Sequence, residues 1–161
     1  MTTYLLDANV FIQARNLHYP FEVVPAFWEW LDRKHAAGII FSIEKVDDEL
    51  RTIDDELAAW AKARPSLFLK PDPPLVASLT VISTWANGAG YQPAGVTAFL
   101  QSADFYLVAH AHAHGYVVVT HELPGQGSIK KIKIPDACIS NAVKCVTPWA
   151  MLRAEKARFV L

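Results

Sequence analysis

Short apolar runs alternate with stretches of helical spacing along the whole chain. Tyr4-Leu5-Leu6 predicts a short strand that ends at Asp7, and residues 9–15 a short helix. From Val24 to Ala37 apolar residues recur at helical spacing through Phe27, Trp28 and Leu31, and Gly38 stops that helix. Ile39-Ile40-Phe41 reads as a buried strand, with Ser42 capping a helix that runs through Leu50. Glu56 to Ala63 continues helical up to Pro65, and Leu67-Phe68-Leu69 forms a further short strand. Leu75 to Trp85 is helical, and so is Ser102 to His114, capped by Ser102 and stopped by Gly115. Tyr116-Val117-Val118-Val119 carries the strongest strand signal, being continuous and β-branched. Lys131-Ile132-Lys133-Ile134 alternates like an edge strand. Pro135 opens a short helix over Asp136 to Ser140, and Pro148 opens the last one. Loops fall at residues 70–74, 87–93 and 124–128, where Pro, Gly and Asn gather.

Strands that alternate with helices imply an α/β fold around a mainly parallel sheet covered on both faces. In such sheets ligands bind at the carboxyl ends of the strands. The 161 residues suit one domain, 1–161, with no repeat, low-complexity tract or linker to divide it. Half the residues are hydrophobic, enough for a sizeable core.

Charge changes the picture little. Fifteen basic and 16 acidic side chains leave a net charge of −1, so there is no general attraction to polyanions. A nucleic-acid ligand would need locally clustered basic residues or a bound metal. Cys138 and Cys145 are too few for a disulfide framework and lie outside any CxxC spacing, which predicts reduced thiols. No N-terminal stretch resembles a signal peptide, because an acid arrives at position 7 before any apolar h-region. No stretch approaches the roughly 20 apolar residues of a membrane span. The expectation is a soluble, cytoplasmic protein.

Candidate chemistry sits where strands end. Asp7 closes the first strand, Thr120-His121-Glu122 follows the Val117–Val119 strand, and Glu49 lies on the helix after Ile39–Phe41. Asp104 opens the helix that feeds the Val117–Val119 strand. In a parallel sheet these acids can meet above one edge. Carboxylates forced together repel, their pKa values rise, and a hard dication relieves them. Mg²⁺ and Mn²⁺ favour such oxygen ligands, and a bound ion can activate water and stabilise a phosphoryl oxygen.

Leu5-Leu6-Asp7-Ala8-Asn9-Val10-Phe11-Ile12 resembles the opening motif of PIN domains. Residues 103–111, an Asp leading a helix rich in Ala and aliphatics, resemble the family's second half. Val118-Val119-Thr120-His121-Glu122 resembles its closing strand of Thr, any residue, then an acid. The likeness spans residues 4 to 147, with Glu49 the best match to the family's middle acid. Glu122 departs from it, because an Asp is more usual there. The resemblance implies a three-layer α/β/α sandwich, dependence on Mg²⁺ or Mn²⁺, and endonucleolytic cleavage of single-stranded RNA. Many compact bacterial members are VapC-type toxins held inactive by an antitoxin. Carried over by position, Asp7, Glu49, Asp104 and Glu122 become the metal-binding acids. Asn9 binds an acid or the scissile phosphate, and Thr120 fixes a neighbouring carboxylate.

Each residue also has a plainer role. Asp7 can cap the following helix, and Asp104 can answer a helix dipole. Glu49 competes with Glu44, Asp47 and Asp48; Glu44 and Glu49 stand about 140° apart around the helix and cannot both face one site. Thr120 can tie down a strand end, and Asp136 can cap a helix or stand as a late acid near the metal. His110, His112 and His114 flank the inner face of their helix and are expected at the surface. His121 can touch a substrate phosphate. Lys130, Lys131 and Lys133 can deter edge aggregation or hold an RNA backbone, and Arg15 and Arg51 are weaker candidates of that kind. Of Phe27, Trp28 and Trp30, two can enter the core and the third can mark a partner surface, for a second copy or an antitoxin. Three other readings stay open. One is a PIN nuclease of ribosomal or transfer RNA maturation. Another is a receiver-like module that binds Mg²⁺ and accepts phosphate on Asp, against which Asp7 stands alone near the first strand. The last is a degenerate PIN fold that only binds.

Overall fold

Unbroken burial defines the two central strands. In β1 (Tyr4–Leu6) and β4 (Val117–Val119) every residue is buried. Successive side chains of a strand point to opposite faces, so both faces of the sheet are covered. A computed structural model describes residues 1–161. The other strands are β2 (Ile40–Ile43), β3 (Phe68–Leu69) and β5 (Cys145–Val146). All pairings are parallel, in the order β3-β2-β1-β4-β5.

The chain winds outward from β1 through β2 to β3, then returns to lay β4 on the other side of β1. Leu6 pairs with Val119, so β1 and β4 end level. A reversal of winding splays the connections apart and opens a crevice at the strands' carboxyl ends. Asp7 and Thr120 are the first residues past those two ends.

Nine α-helices connect the strands. They are α1 (Ala8–Gln13), α2 (Pro25–Ala36), α3 (Glu44–Leu50), α4 (Glu56–Lys62) and α5 (Pro73–Gly88). Then follow α6 (Pro93–Leu100), α7 (Ala103–His114), α8 (Ile134–Ser140) and α9 (Pro148–Ala154). A π turn over Ala14–His18 extends α1. Asp55, Asp72 and Thr147 cap α4, α5 and α9 by accepting backbone N–H bonds. Gly115 ends α7 in the left-handed conformation that glycine adopts without strain. No helix is long and apolar enough to cross a membrane. Cys138 is buried and Cys145 half-buried, both as free thiols.

Several expectations need correction. Ser42 caps no helix; it lies inside β2, and its hydroxyl donates to the Leu6 carbonyl at 2.6 Å. The hydroxyl is thus spent tying β2 to β1, and α3 begins at Glu44 instead. Ser102 precedes α7 without a side-chain cap, because its hydroxyl donates back to Phe99 O. Residues 131–134 form no strand. Ile132 and Ile134 are buried as their alternation suggests, but β5 already occupies the edge beside β4, and the segment turns into α8. Helix α6 was not foreseen at all.

The histidine expectation also fails. Helix α7 touches β2 and β4 on one side and is covered by α5 and α6 on the other. His110 is therefore buried, with no partner for its Nδ1. His112 Nδ1 meets Ser78 Oγ at 2.8 Å, and His114 meets Asp72 at 2.7 Å. Phe27, Trp28 and Trp30 are all buried, so none marks a partner surface. Phe27 stacks on Tyr19, Trp28 on Phe21, and the C-terminal Phe159 meets both Phe27 and Trp30 edge-on.

Candidate metal centre

The crevice is built on one hydroxyl. Thr120 Oγ1 donates to Asp7 Oδ2 at 2.8 Å, and accepts from Asn9 Nδ2 at 3.1 Å and from the Glu122 backbone N–H at 3.0 Å. The second Asp7 oxygen accepts the Ala8 N–H at 2.7 Å, so Asp7 caps α1 and faces the crevice at once. Asn9 Oδ1 accepts the His121 N–H at 3.2 Å. This lacing locks the first turn of α1 to the segment after β4. It holds the buried Asp7 carboxyl in one orientation.

The acids sense one another. The Asp7 carboxyl is pushed up to about 7, first by burial and then by the charges of Asp104 and Glu122; the bonds from Thr120 and Ala8 oppose this. Burial likewise pushes Asp104 up to about 6, reinforced by Glu122 and Glu49 and opposed by Lys131 and Lys133. Desolvation also raises Glu49, although that residue stands at the exposed rim. Glu122 accepts the Ile134 N–H at 3.3 Å and lies 3.9 Å from Lys133 Nζ. Asp7, Glu49, Asp104 and Glu122 are thus one electrostatic cluster, assembled from four separate segments.

On α3, Asp47 is engaged by Arg51 at 2.8 Å, and Glu49 is the acid of that helix whose charge raises Asp104. Asp136 neither caps α8 nor joins the cluster. Its Oδ2 accepts the Gly125 N–H at 2.8 Å and closes the loop after Glu122. The charges of Lys131 and Lys133 lower the Asp104 pKa, although Lys131, like Lys130, is exposed and only Lys133 is half-buried. Arg15 is engaged by Asp55 and Glu56. Sequence reasoning missed Ser42, whose hydroxyl seals the strand beneath Asp7, and the rings of His18 and Trp149 that flank His121. A small buried hydroxyl inside a strand and a solitary Trp carry no local signal of such roles.

The donor set suits a hard dication. All four groups are carboxylates, and the raised pKa values of Asp7 and Asp104 mark anionic charge without a matching cation. As the side chains stand, no three converge within ligating reach of one point. Glu122 is turned toward Ile134 and Lys133, and Glu49 lies at the rim, so ligation requires these longer side chains to swing inward. The fit is thus one of chemistry and position, with Asp7 the fixed member.

Comparison with known proteins bears on this geometry. A family model described as a domain of unknown function, DUF4411, matches residues 4–159. Among solved structures, FitAcB from Neisseria gonorrhoeae is similar at 20% identity and a TM-score of 0.55, covering 91% of this chain and 99% of that one. VapBC2 from Rickettsia felis, bound to a DNA fragment from their promoter, is similar at 15% identity and a TM-score of 0.58, covering 91% and 98%. FitAB bound to the IR36 DNA fragment gives 21% identity and a TM-score of 0.53, covering 91% and 96%. These likenesses establish a shared α/β fold. No curated protein matches the chain.

Proposed function

The chain belongs to the DUF4411 family, and within it we propose a PIN-type endoribonuclease that depends on Mg²⁺ or Mn²⁺. The observation that carries this reading is that Asp7, held by Thr120, and Asp104 lie buried at the β1–β4 switch point, where the charges of Glu122 and Glu49 add to the burial that raises their pKa values. Asp7, Asp104, Glu49 and Glu122 would hold the ion. When bound, the ion supplies Lewis-acid stabilisation of phosphoryl charge and a lowered pKa for water. Thr120 and Ala8 N–H keep the Asp7 oxygens oriented, so that part of the site needs no reorganisation during reaction. Asn9, tied to Thr120 and to the His121 backbone, keeps the first turn of α1 in register with Glu122. Lys131 and Lys133, on the flank of the acids, attract the RNA backbone that a net charge of −1 does not.

The biological setting we favour is a toxin paired with an antitoxin in the cytoplasm. It draws support from the likeness to FitAcB and to VapBC2, the latter bound with its promoter DNA. The experiment is cleavage of single-stranded RNA by purified, partner-free protein with Mn²⁺. Wild type should cleave, and Asp7→Asn should lose roughly a hundredfold or more of that rate. No metal-dependent cleavage by the wild type would refute the proposal.

A further inference from the structure

A second cluster lies beside the acids and takes no part in orienting them. His121 stands between Thr120 and Glu122 in the chain, and its backbone N–H is pinned by Asn9. Its ring centroid lies 5.4 Å from that of His18 and 5.8 Å from that of Trp149. His18 and Trp149 meet edge-on at 4.9 Å. The three rings come from three places: the π turn after α1, the segment after β4, and the first turn of α9. Trp28, Trp30 and Trp60 are at most 8% exposed, but Trp149 is 36% exposed, and His18 is also open to solvent. Aromatic rings left partly open to water next to a polar crevice are a feature of binding sites rather than of cores.

We infer that His18, His121 and Trp149 form a stacking platform for a nucleobase of single-stranded RNA. The inference rests on the nuclease reading and assigns its neighbouring subsite. A nucleotide joins a flat aromatic ring to a phosphate through one sugar. Here flat rings adjoin, through the single step from His121 to Glu122, a cluster suited to hold a phosphate by way of a cation. Imidazole and indole faces take any base, because every base has a π face. Unpaired RNA is commonly recognised in this way. Lys131 and Lys133, whose charges reach Asp104, add positive charge for the backbone beside the acids. A platform without a hydrogen-bonding code predicts a preference for unpaired over paired RNA, with little preference among bases.

The test uses the full chain carrying Asp7→Asn, which keeps RNA intact, and a single-stranded oligoribonucleotide containing 2-aminopurine. The parent should quench its fluorescence on binding. Adding Trp149→Ala should weaken binding roughly tenfold and abolish the quench, while Trp149→Phe keeps most of both. Thermal melting confirms that each variant folds, and His18→Ala, at an exposed position, provides a second probe with a smaller loss. Undiminished RNA affinity and quench in a folded Trp149→Ala variant would overturn the platform. So would unchanged RNA affinity accompanied by altered self-association, which would assign the patch to protein docking. If Trp149→Ala weakens binding but the wild type never cleaves RNA, the platform stands and the nuclease reading falls.

Discussion

At the scale of single residues, Asp7 and Thr120 carry the account. Asp7 binds its proton more tightly folded than unfolded, at about 7 against 3.8, and Asp104 does so at about 6. Between roughly pH 4 and 7 the native state therefore holds more protons than the unfolded chain, and the stability these groups contribute falls as pH rises. Ionising the buried Asp7 costs on the order of 4 kcal/mol by this linkage. Asp7→Asn should thus be more stable than wild type by a few kcal/mol at pH 8 without metal, with the difference vanishing near pH 4. Urea unfolding at the two pH values checks this. Equal stabilities at pH 8 would mean that Asp7 is not held as described. Thr120→Val removes a donor to Asp7 and an acceptor for Asn9 and Glu122. It should cost about 1–3 kcal/mol in a melting experiment and raise the Asp7 pKa further, as NMR titration would show. Asp7, Asp104 and Glu122 were legible because each follows or opens an element. Glu49 was chosen over Asp47 and Asp48 by its match to the motif, and Arg51 engaging Asp47 agrees with that choice.

At the scale of elements, the strongest patterns translated directly. The Val117–Val119 and Tyr4–Leu6 strands lie where their apolar runs put them, and the last helix opens at Pro148 as the proline predicts. Failures arose where tertiary contacts override local pattern. Residues 131–134 alternate because Ile132, in a loop, and Ile134, at the start of α8, both point inward, not because a partner strand lies alongside. The edge belongs to Cys145–Val146, too short to announce itself. His110 is buried because α5 and α6 cover α7, and helical geometry within α7 alone does not reveal that cover. The loop before α8 is held by close backbone approach to α6. Gln92 N–H donates to Ile129 O at 2.8 Å, and a Cβ on Gly95 would clash with the Lys130 carbonyl oxygen. Gly95→Ala should therefore push the lysine segment away and lower stability by about 1–3 kcal/mol. Thermal melting at pH 7 reads this, and an unchanged melting temperature would show that the loop yields freely.

At the scale of the whole molecule, alternating strands and helices imply a parallel sheet, but strand order is not written in any local pattern. It emerges from packing, and it decides the chemistry: placing β4 beside β1 brings Asp7 and Thr120 together across residues 113 positions apart in sequence. The fold thereby concentrates negative charge in a crevice of a nearly neutral protein. Mn²⁺ binding to the intact chain at pH 7, followed by the loss of the free-ion electron paramagnetic resonance signal, tests that concentration directly. Wild type should take up Mn²⁺ and release protons as Asp7 ionises, whereas Asp7→Asn and Asp104→Asn should each bind roughly tenfold more weakly or worse. A wild type that leaves all the Mn²⁺ free at millimolar concentration, or Asn variants that bind as the wild type does, would contradict the account.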